Sequence, residues 1–268
     1  MFAVVGIFIF IFGLCVGSFL NVVIFRLEKN KSLGGRSFCH QCRHQLSWKD
    51  LVPVFSFLFL GGKCRYCKAK ISWQYPIVEI SSALIFLLIF NQASVIPGLT
   101  RNPESLFLAW IPAFAGMTAM FYIASALIVI FVYDLKHYLI PDKVLFPAIG
   151  VALVYRFFEP AMLVNYLLAV AIASGFFFFI WFASRGRWMG FGDAKLAILM
   201  GLLLGFPNIL VALFLAFLLG AVVGVGLIIF QKKGLKSQVP FGPFLITGTF
   251  LALFWGSQII NWYLNGLF

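Results

Sequence analysis

The chain has 268 residues, of which 63% are hydrophobic and only 10% charged, and its mean hydropathy is +1.04. That balance excludes a soluble globular domain and marks a polytopic membrane protein. The net charge of +12 calls for no nucleic-acid partner, because 18 of the 20 basic residues lie in four alternate loops between apolar runs. The positive-inside rule then makes those loops cytoplasmic and puts both termini on the outer side of the membrane. Anionic membrane lipid is the natural partner of so basic a face.

Apolar runs near the length that spans a bilayer extend from Val4 to Phe25, Tyr75 to Phe90, Met117 to Tyr133, Pro141 to Phe158, Leu163 to Phe182, Ala194 to Phe206, Ile209 to Phe230 and Phe244 to Leu264. They predict an all-α fold of about eight transmembrane helices. The sixth run is short and ends at Pro207, so it reads equally as a half-helix. The expected organisation is a first helix in 1–25, a cytoplasmic loop domain in 26–74, a second helix in 75–90, an external loop in 91–116 and a six-helix domain in 117–268.

The first run lacks a basic leading segment and an Ala-x-Ala site, so it reads as a retained helix and not a cleaved signal. Gly13, Gly17 and Ser18 form a stripe of small residues that allows a second helix to come close, and Asn21 offers one interhelical hydrogen bond. The loop that follows is dominated by Cys39-His40-Gln41-Cys42 and Cys64-Arg65-Tyr66-Cys67. Two C-x2-C pairs can present four thiolates tetrahedrally to one Zn2+, and a filled four-ligand shell makes that zinc structural. Two disulfides are the alternative, which a reducing compartment disfavours.

Glu79 follows Pro76 just inside the second run, where the helix dipole alone accounts for an acid and a functional role is the competing reading. From Asn91 to Gly116 the chain is broken by Pro97, Pro103 and Pro112, and an external loop is expected. Asp134 ends the third run, at a helix C-terminus where the dipole disfavours negative charge, so capping does not explain it. Asp142, after Pro141, suits a first-turn cap. Asp193 stands in Gly190-Phe191-Gly192-Asp193-Ala194-Lys195, at the mouth of the sixth run. Topology brings Asp134 and Asp193 to one face, and two nearby carboxylates that share a proton are the chemistry of an aspartic protease. An ion or proton transporter using membrane aspartates, and a non-catalytic scaffold stapled by zinc, are the rival readings.

Taken together, Gly17-Ser18-Phe19-Leu20-Asn21, the four cysteines with Ser47-Trp48-Lys49-Asp50 between them, Tyr75-Pro76-Ile77-Val78-Glu79, Asp134 with Ile140-Pro141-Asp142, Gly190 to Lys195 and Pro240-Phe241-Gly242-Pro243 closely resemble the bacterial type IV prepilin peptidases. These are membrane aspartic proteases of the GxGD class. The resemblance implies a bifunctional enzyme of type IV pilus or type II secretion systems. Such an enzyme removes the basic leader of prepilins and pseudopilins at the cytoplasmic face and methylates the new N-terminus with S-adenosylmethionine. It implies Asp134 and Asp193 as the catalytic pair and ties the cysteine loop to methylation; it assigns no residue to the methyl donor, for which Glu79 is only a guess. Glu28 departs from the family by standing where proline is common. The 91–116 stretch is longer than usual and reads like a translated repetitive insertion.

Overall fold

An apolar medium offers the backbone no hydrogen bonds, so apolar runs satisfy their own N–H and C=O groups as helices. The computed structural model describes residues 2–94, 106–158, 160–229 and 239–266. Among these residues there are nine α-helices and no strand: α1 Phe2–Glu28, α2 Phe55–Phe59, α3 Gln74–Ser94, α4 Leu106–His137, α5 Asp142–Phe157, α6 Pro160–Ser184, α7 Phe191–Leu204, α8 Asn208–Ile229 and α9 Gly242–Asn265. Each of the eight expected runs coincides with a helix, and α2 is a short addition inside the loop. Helices α1, α3, α4, α6, α8 and α9 are long and apolar enough to cross a membrane. Helices α5 and α7, with 16 and 14 residues, do not reach that length. A 14-residue helix spans about 21 Å at 1.5 Å per residue.

The stretch expected as an external loop in 91–116 is helical at both ends. Asn91 to Ser94 complete α3 and Leu106 to Gly116 open α4, while 95–105 lies outside the described residues. Pro112 does not break α4. The surrounding apolar residues leave helix as the favourable backbone state, and one lost hydrogen bond does not outweigh it.

The chain forms two compact units, Met1–Val129 and Ile130–Phe268. In the first, α1 and α3 pack along the predicted small-residue stripe. A Cβ added at Gly13 would lie 2.6 Å from Ala83 Cα, and one at Gly17 would lie 2.6 Å from Glu79 Cα. Asn21 makes the expected interhelical bond, its Nδ2 donating to Tyr75 O at 3.2 Å. Phe86 and Phe121 stack with ring centroids 4.3 Å apart and join α4 to this pair.

In the second unit α7 is the buried axis. It packs against α5, α6, α8 and α9, and Leu196, Ala197, Leu199 and Met200 are wholly enclosed. Being apolar on every side, it has no polar face to show a solvent. Gly201 lets α6 approach, since its Cβ would meet Val170 N at 2.6 Å. The buried Arg156 of α5 closes the far end of α7. Its guanidinium donates to Leu202 O at 2.9 Å and Leu203 O at 3.0 Å, and it lies 3.7 Å from the Tyr166 ring centroid.

Replacing Gly13 with valine should force α1 and α3 apart and destabilise the protein by about 1–3 kcal/mol, the usual cost of overpacking. Gly150 of α5 has nothing within 4 Å of its Cβ position, so Gly150→Ala should stay within about 1 kcal/mol of wild type. Thermal unfolding of both variants in detergent reads the contrast.

A candidate aspartate pair and a candidate metal centre

Both candidate aspartates belong to the second unit and both are buried, with 5% of Asp134 and 8% of Asp193 exposed. Asp134 lies in the last turn of α4, which ends because Tyr138 turns into the left-handed region (φ 57°) and Pro141 soon follows. The problem of an acid at a helix C-terminus is resolved by another helix. The N–H of Gly242, the first residue of α9, donates to the Asp134 carboxylate, so the positive end of α9 faces the charge that the end of α4 opposes. The approach is so close that a Cβ at Gly242 would sit 2.5 Å from Asp134 Oδ2. Only glycine fits.

Asp193 occupies the first turn of α7, where its own helix dipole favours a carboxylate, and the Gly190 N–H donates to it. Gly192 faces Ile140 of the α4–α5 connection, which a Cβ would meet at 3.3 Å. The two aspartates are near enough for the charge of Asp134 to act on Asp193. Beside them Lys195 Nζ donates to both carboxylate oxygens of Asp142 at 2.9 Å, tying the start of α7 to the start of α5. Asp142, expected as a first-turn cap, stands in the first turn of α5 and is engaged by Lys195 of another helix. His137 ends α4 with its ring 4.5 Å from that of Tyr133. In the sequence Gly242 stands out only as part of a motif. That a glycine N–H serves Asp134 is not legible there, because it depends on a helix more than a hundred positions away.

The first unit holds the cysteines. The sulfurs of Cys39, Cys42, Cys64 and Cys67 all lie within 4.8 Å of one another, and none forms a disulfide. Four thiolates about 2.3 Å from one ion form a tetrahedron with edges near 3.8 Å, and the Cys39 and Cys67 sulfurs are 3.8 Å apart. The donor set and its spacing fit a thiophilic metal ion. His40 and His44 stay outside the set. His40 is 2.8 Å from the Tyr75 hydroxyl, and the His44 ring packs 3.7 Å from that of Tyr66.

Local electrostatics prepare the cluster. Burial acts to raise the Cys39 thiol, but the N–H groups of Cys42 and Gln41 and the neighbouring sulfurs outweigh it and bring it to about 7. At Cys67 the Ala69 N–H acts to lower the thiol, yet burial and the crowd of sulfurs push it up to about 11. Four thiols packed so closely do not ionise together without a cation.

The loop is an internal repeat. Ser37 to Lys49 recurs as Gly62 to Gln74 at a constant offset, with Cys39 matching Cys64, Cys42 matching Cys67, Leu46 matching Ile71, and Ser47-Trp48 matching Ser72-Trp73. The backbone repeats as well. Cys39 N–H donates to His44 O as Cys64 N–H does to Ala69 O, and Leu46 N–H donates to Ser37 O as Ile71 N–H does to Gly62 O. Arg43 and Lys68 take the same left-handed turn, each at φ 59°. Asp50 binds the halves together. Arg65 Nε donates to Oδ1 at 2.6 Å while the Ser47 N–H and hydroxyl donate to Oδ2. Burial disfavours the Asp50 carboxylate, but Arg65 and Ser47 hold it below the usual range.

Glu79 is buried, and its carboxylate accepts the Val54 N–H at 2.7 Å and the Ser18 hydroxyl. Val54 has φ 59°, a conformation that a β-branched residue takes only under constraint. Arg26, also buried and not singled out by the sequence, gathers the carbonyls of Ser32, Leu33, Gly34 and Gly35.

These features define a multi-pass helical membrane protein with a buried aspartate pair in one unit and, in the other, a cluster of four thiols that could hold a metal ion. Residues 11–93 match the Bacterial Peptidase A24 N-terminal domain, and residues 121–225 match the Type IV leader peptidase family. Three proteins named prepilin leader peptidase/N-methyltransferase illustrate the similarity. That of Bacillus subtilis strain 168 is 31% identical, over 96% of this chain and 97% of its own; that of Stutzerimonas stutzeri is 31% identical, over 95% and 92%. The protein of Pseudomonas aeruginosa is 29% identical, over 94% and 91%. No solved structure matches the chain significantly. The chain belongs to the type IV leader peptidase family.

Elemental analysis of the purified protein should find about one thiophilic metal ion per chain, as a closed four-cysteine shell holds. Cys64→Ser should release it and expose the 39–67 loop to proteolysis.

Proposed function

We propose that the protein is a membrane aspartic endopeptidase that removes the leader peptide of type IV prepilins and pseudopilins and N-methylates the residue it uncovers. The observation that carries the reading is the buried pair Asp134 and Asp193, each given a backbone N–H donor and set within electrostatic reach of the other. Membership of the family and the names of its relatives support the substrate class and the second activity.

In the proposed mechanism one carboxylate is ionised and the other protonated. The ionised member takes a proton from water as the water oxygen attacks the scissile carbonyl carbon, and the protonated member donates to the carbonyl oxygen. Collapse of the tetrahedral intermediate breaks the C–N bond, and a proton from the pair goes to the leaving nitrogen. Gly242 and Gly190 orient the pair, and Lys195 with Asp142 fixes the start of α7 in the right place. Gly192 lets the start of α7 lie close against Ile140 of the α4–α5 connection.

By the positive-inside rule we take the basic loops and the active face as cytoplasmic and both termini as periplasmic. We assign 26–74 as the zinc-bound loop domain and the helices of 117–268 as the peptidase domain. Zinc is the metal that a shell of four cysteines most commonly holds, and its role here is to fold the loop. S-adenosylmethionine would supply the methyl group. Glu79 is occupied by Val54 and Ser18, so its part is to anchor the loop, and no residue is assigned to the donor.

Incubation of purified enzyme with a prepilin in liposomes should give a shortened product, heavier by one methylene when S-adenosylmethionine is added. Asp134→Asn and Asp193→Asn should each lower cleavage at least about 1000-fold, as for residues that act as a unit. Undiminished cleavage in both variants would return the transporter and scaffold readings. Gly242→Ala, which intrudes on Asp134, should lose most cleavage while retaining its bound metal.

A further inference from the structure

The loop between α1 and α3 carries an apolar face that neither the metal site nor Glu79 uses. In α2, Phe57 is buried against Trp73, their ring centroids 4.9 Å apart, while Phe55, Leu58 and Phe59 are exposed, Phe59 to 87%. Trp73 is itself 67% exposed, and Trp48, its counterpart in the first half of the repeat, is 73% exposed. Leu51, between Trp48 and α2, is exposed as well. An apolar cluster of this size on a loop marks an interaction surface and not an ordinary solvated face.

Chain continuity says what the surface meets. Trp73 immediately precedes α3, and its carbonyl accepts the N–H of Ile77 in the first turn. Ile77, Ile80 and Leu84 are exposed along α3. At spacings of four, seven and eleven residues from Trp73 they lie on one helical face, so the indole begins the stripe that α3 turns outward along its membrane span. An indole at that position sits at the headgroup level, where tryptophan is enriched. Phe57 fixes α2 to the same indole, which holds the exposed face of α2 at the same depth. The charge agrees. Lys49, Lys63, Arg65, Lys68 and Lys70 are exposed on the same loop, Lys49 with its Nζ 5.6 Å from the Trp48 ring centroid, and Glu28 and Asp50 are the only acids between Arg26 and Lys70.

We infer that Trp48, Leu51, Phe55, Leu58, Phe59 and Trp73 seat in the headgroup region of an anionic bilayer leaflet, with the surrounding lysines on its phosphates. The metal-binding loop is then a membrane-surface module and not a free domain in solution. Apolar wedges with a basic rim bind interfaces in this way, and binding strengthens with anionic lipid.

The test uses the full chain in nanodiscs of phosphatidylcholine, with and without phosphatidylglycerol. A benzophenone amino acid replaces Phe59, Leu58 or, as control, the exposed polar Gln41. Mass spectrometry after illumination should find lipid adducts at positions 59 and 58 several-fold above those at 41, increasing with phosphatidylglycerol. Cross-links from 59 to a second copy or to another segment of this chain in place of lipid would overturn the inference. So would lipid adducts no more frequent than at 41, or indifferent to the anionic lipid. Retention of the bound metal in each variant shows that the loop is folded.

Discussion

A bilayer lends no hydrogen bonds and tolerates charge poorly, so every polar group that enters it must be answered from within the chain. The second unit is arranged by that requirement. Asp134 sits at the end of α4 where its own helix repels it, and the N-terminus of α9 is brought against it. The carbonyls at the end of α7 have no next turn to bond them, and the Arg156 guanidinium takes two of them. With α7 answered at both ends, by Arg156 at one and by its Gly190 cap at the other, its middle can be apolar on all sides and buried.

Glycine is the means by which these arrangements reach contact distance. Any side chain at Gly242 would occupy the space of the Asp134 carboxylate, and one at Gly192 would press on Ile140. The Gly-x-Gly-Asp sequence is therefore better read as close packing, at Gly192 against Ile140, than as a flexible hinge, since Gly190 and Gly192 both have ordinary negative φ. The close contacts of α1 with α3 at Gly13 and Gly17 follow the same rule, and there the stripe is visible in sequence because both partners lie on regular helices.

That difference explains what can be read in advance. Apolar length locates the helices, and the C-x2-C pairs announce their sulfur cluster, because both signals are local. The two acids at helix mouths stand out through their scarcity. What cannot be read are partners supplied from a distance: Gly242 for Asp134, Leu202 and Leu203 for Arg156, Val54 for Glu79. The beginning of α4 departs from expectation for a different reason. Pro112 weighs heavily in water, whereas in an apolar run helix remains the only satisfied backbone. The repeat in the cysteine loop is fully legible, in Cys39 to Trp48 against Cys64 to Trp73, but only when the two halves are aligned.

The repeat also gives the loop a problem that Glu79 helps to solve. Two similar halves around one four-cysteine cluster make a self-contained unit, with nothing in that cluster to hold it against α1 and α3. Asp50 joins the halves to each other, not to the helices. Glu79 adds a buried tie to those that His40 makes with Tyr75 and Arg26 with the 32–35 carbonyls: its carboxylate, braced by Ser18 of α1, accepts the N–H of Val54 from the segment between the halves. Val54, at φ 59° and ψ −50°, adopts a γ-turn conformation that a β-branched residue avoids, at a cost of order 1–3 kcal/mol. A strained backbone persists where a stronger interaction fixes it, and a buried carboxylate left without that N–H would cost more than the strain.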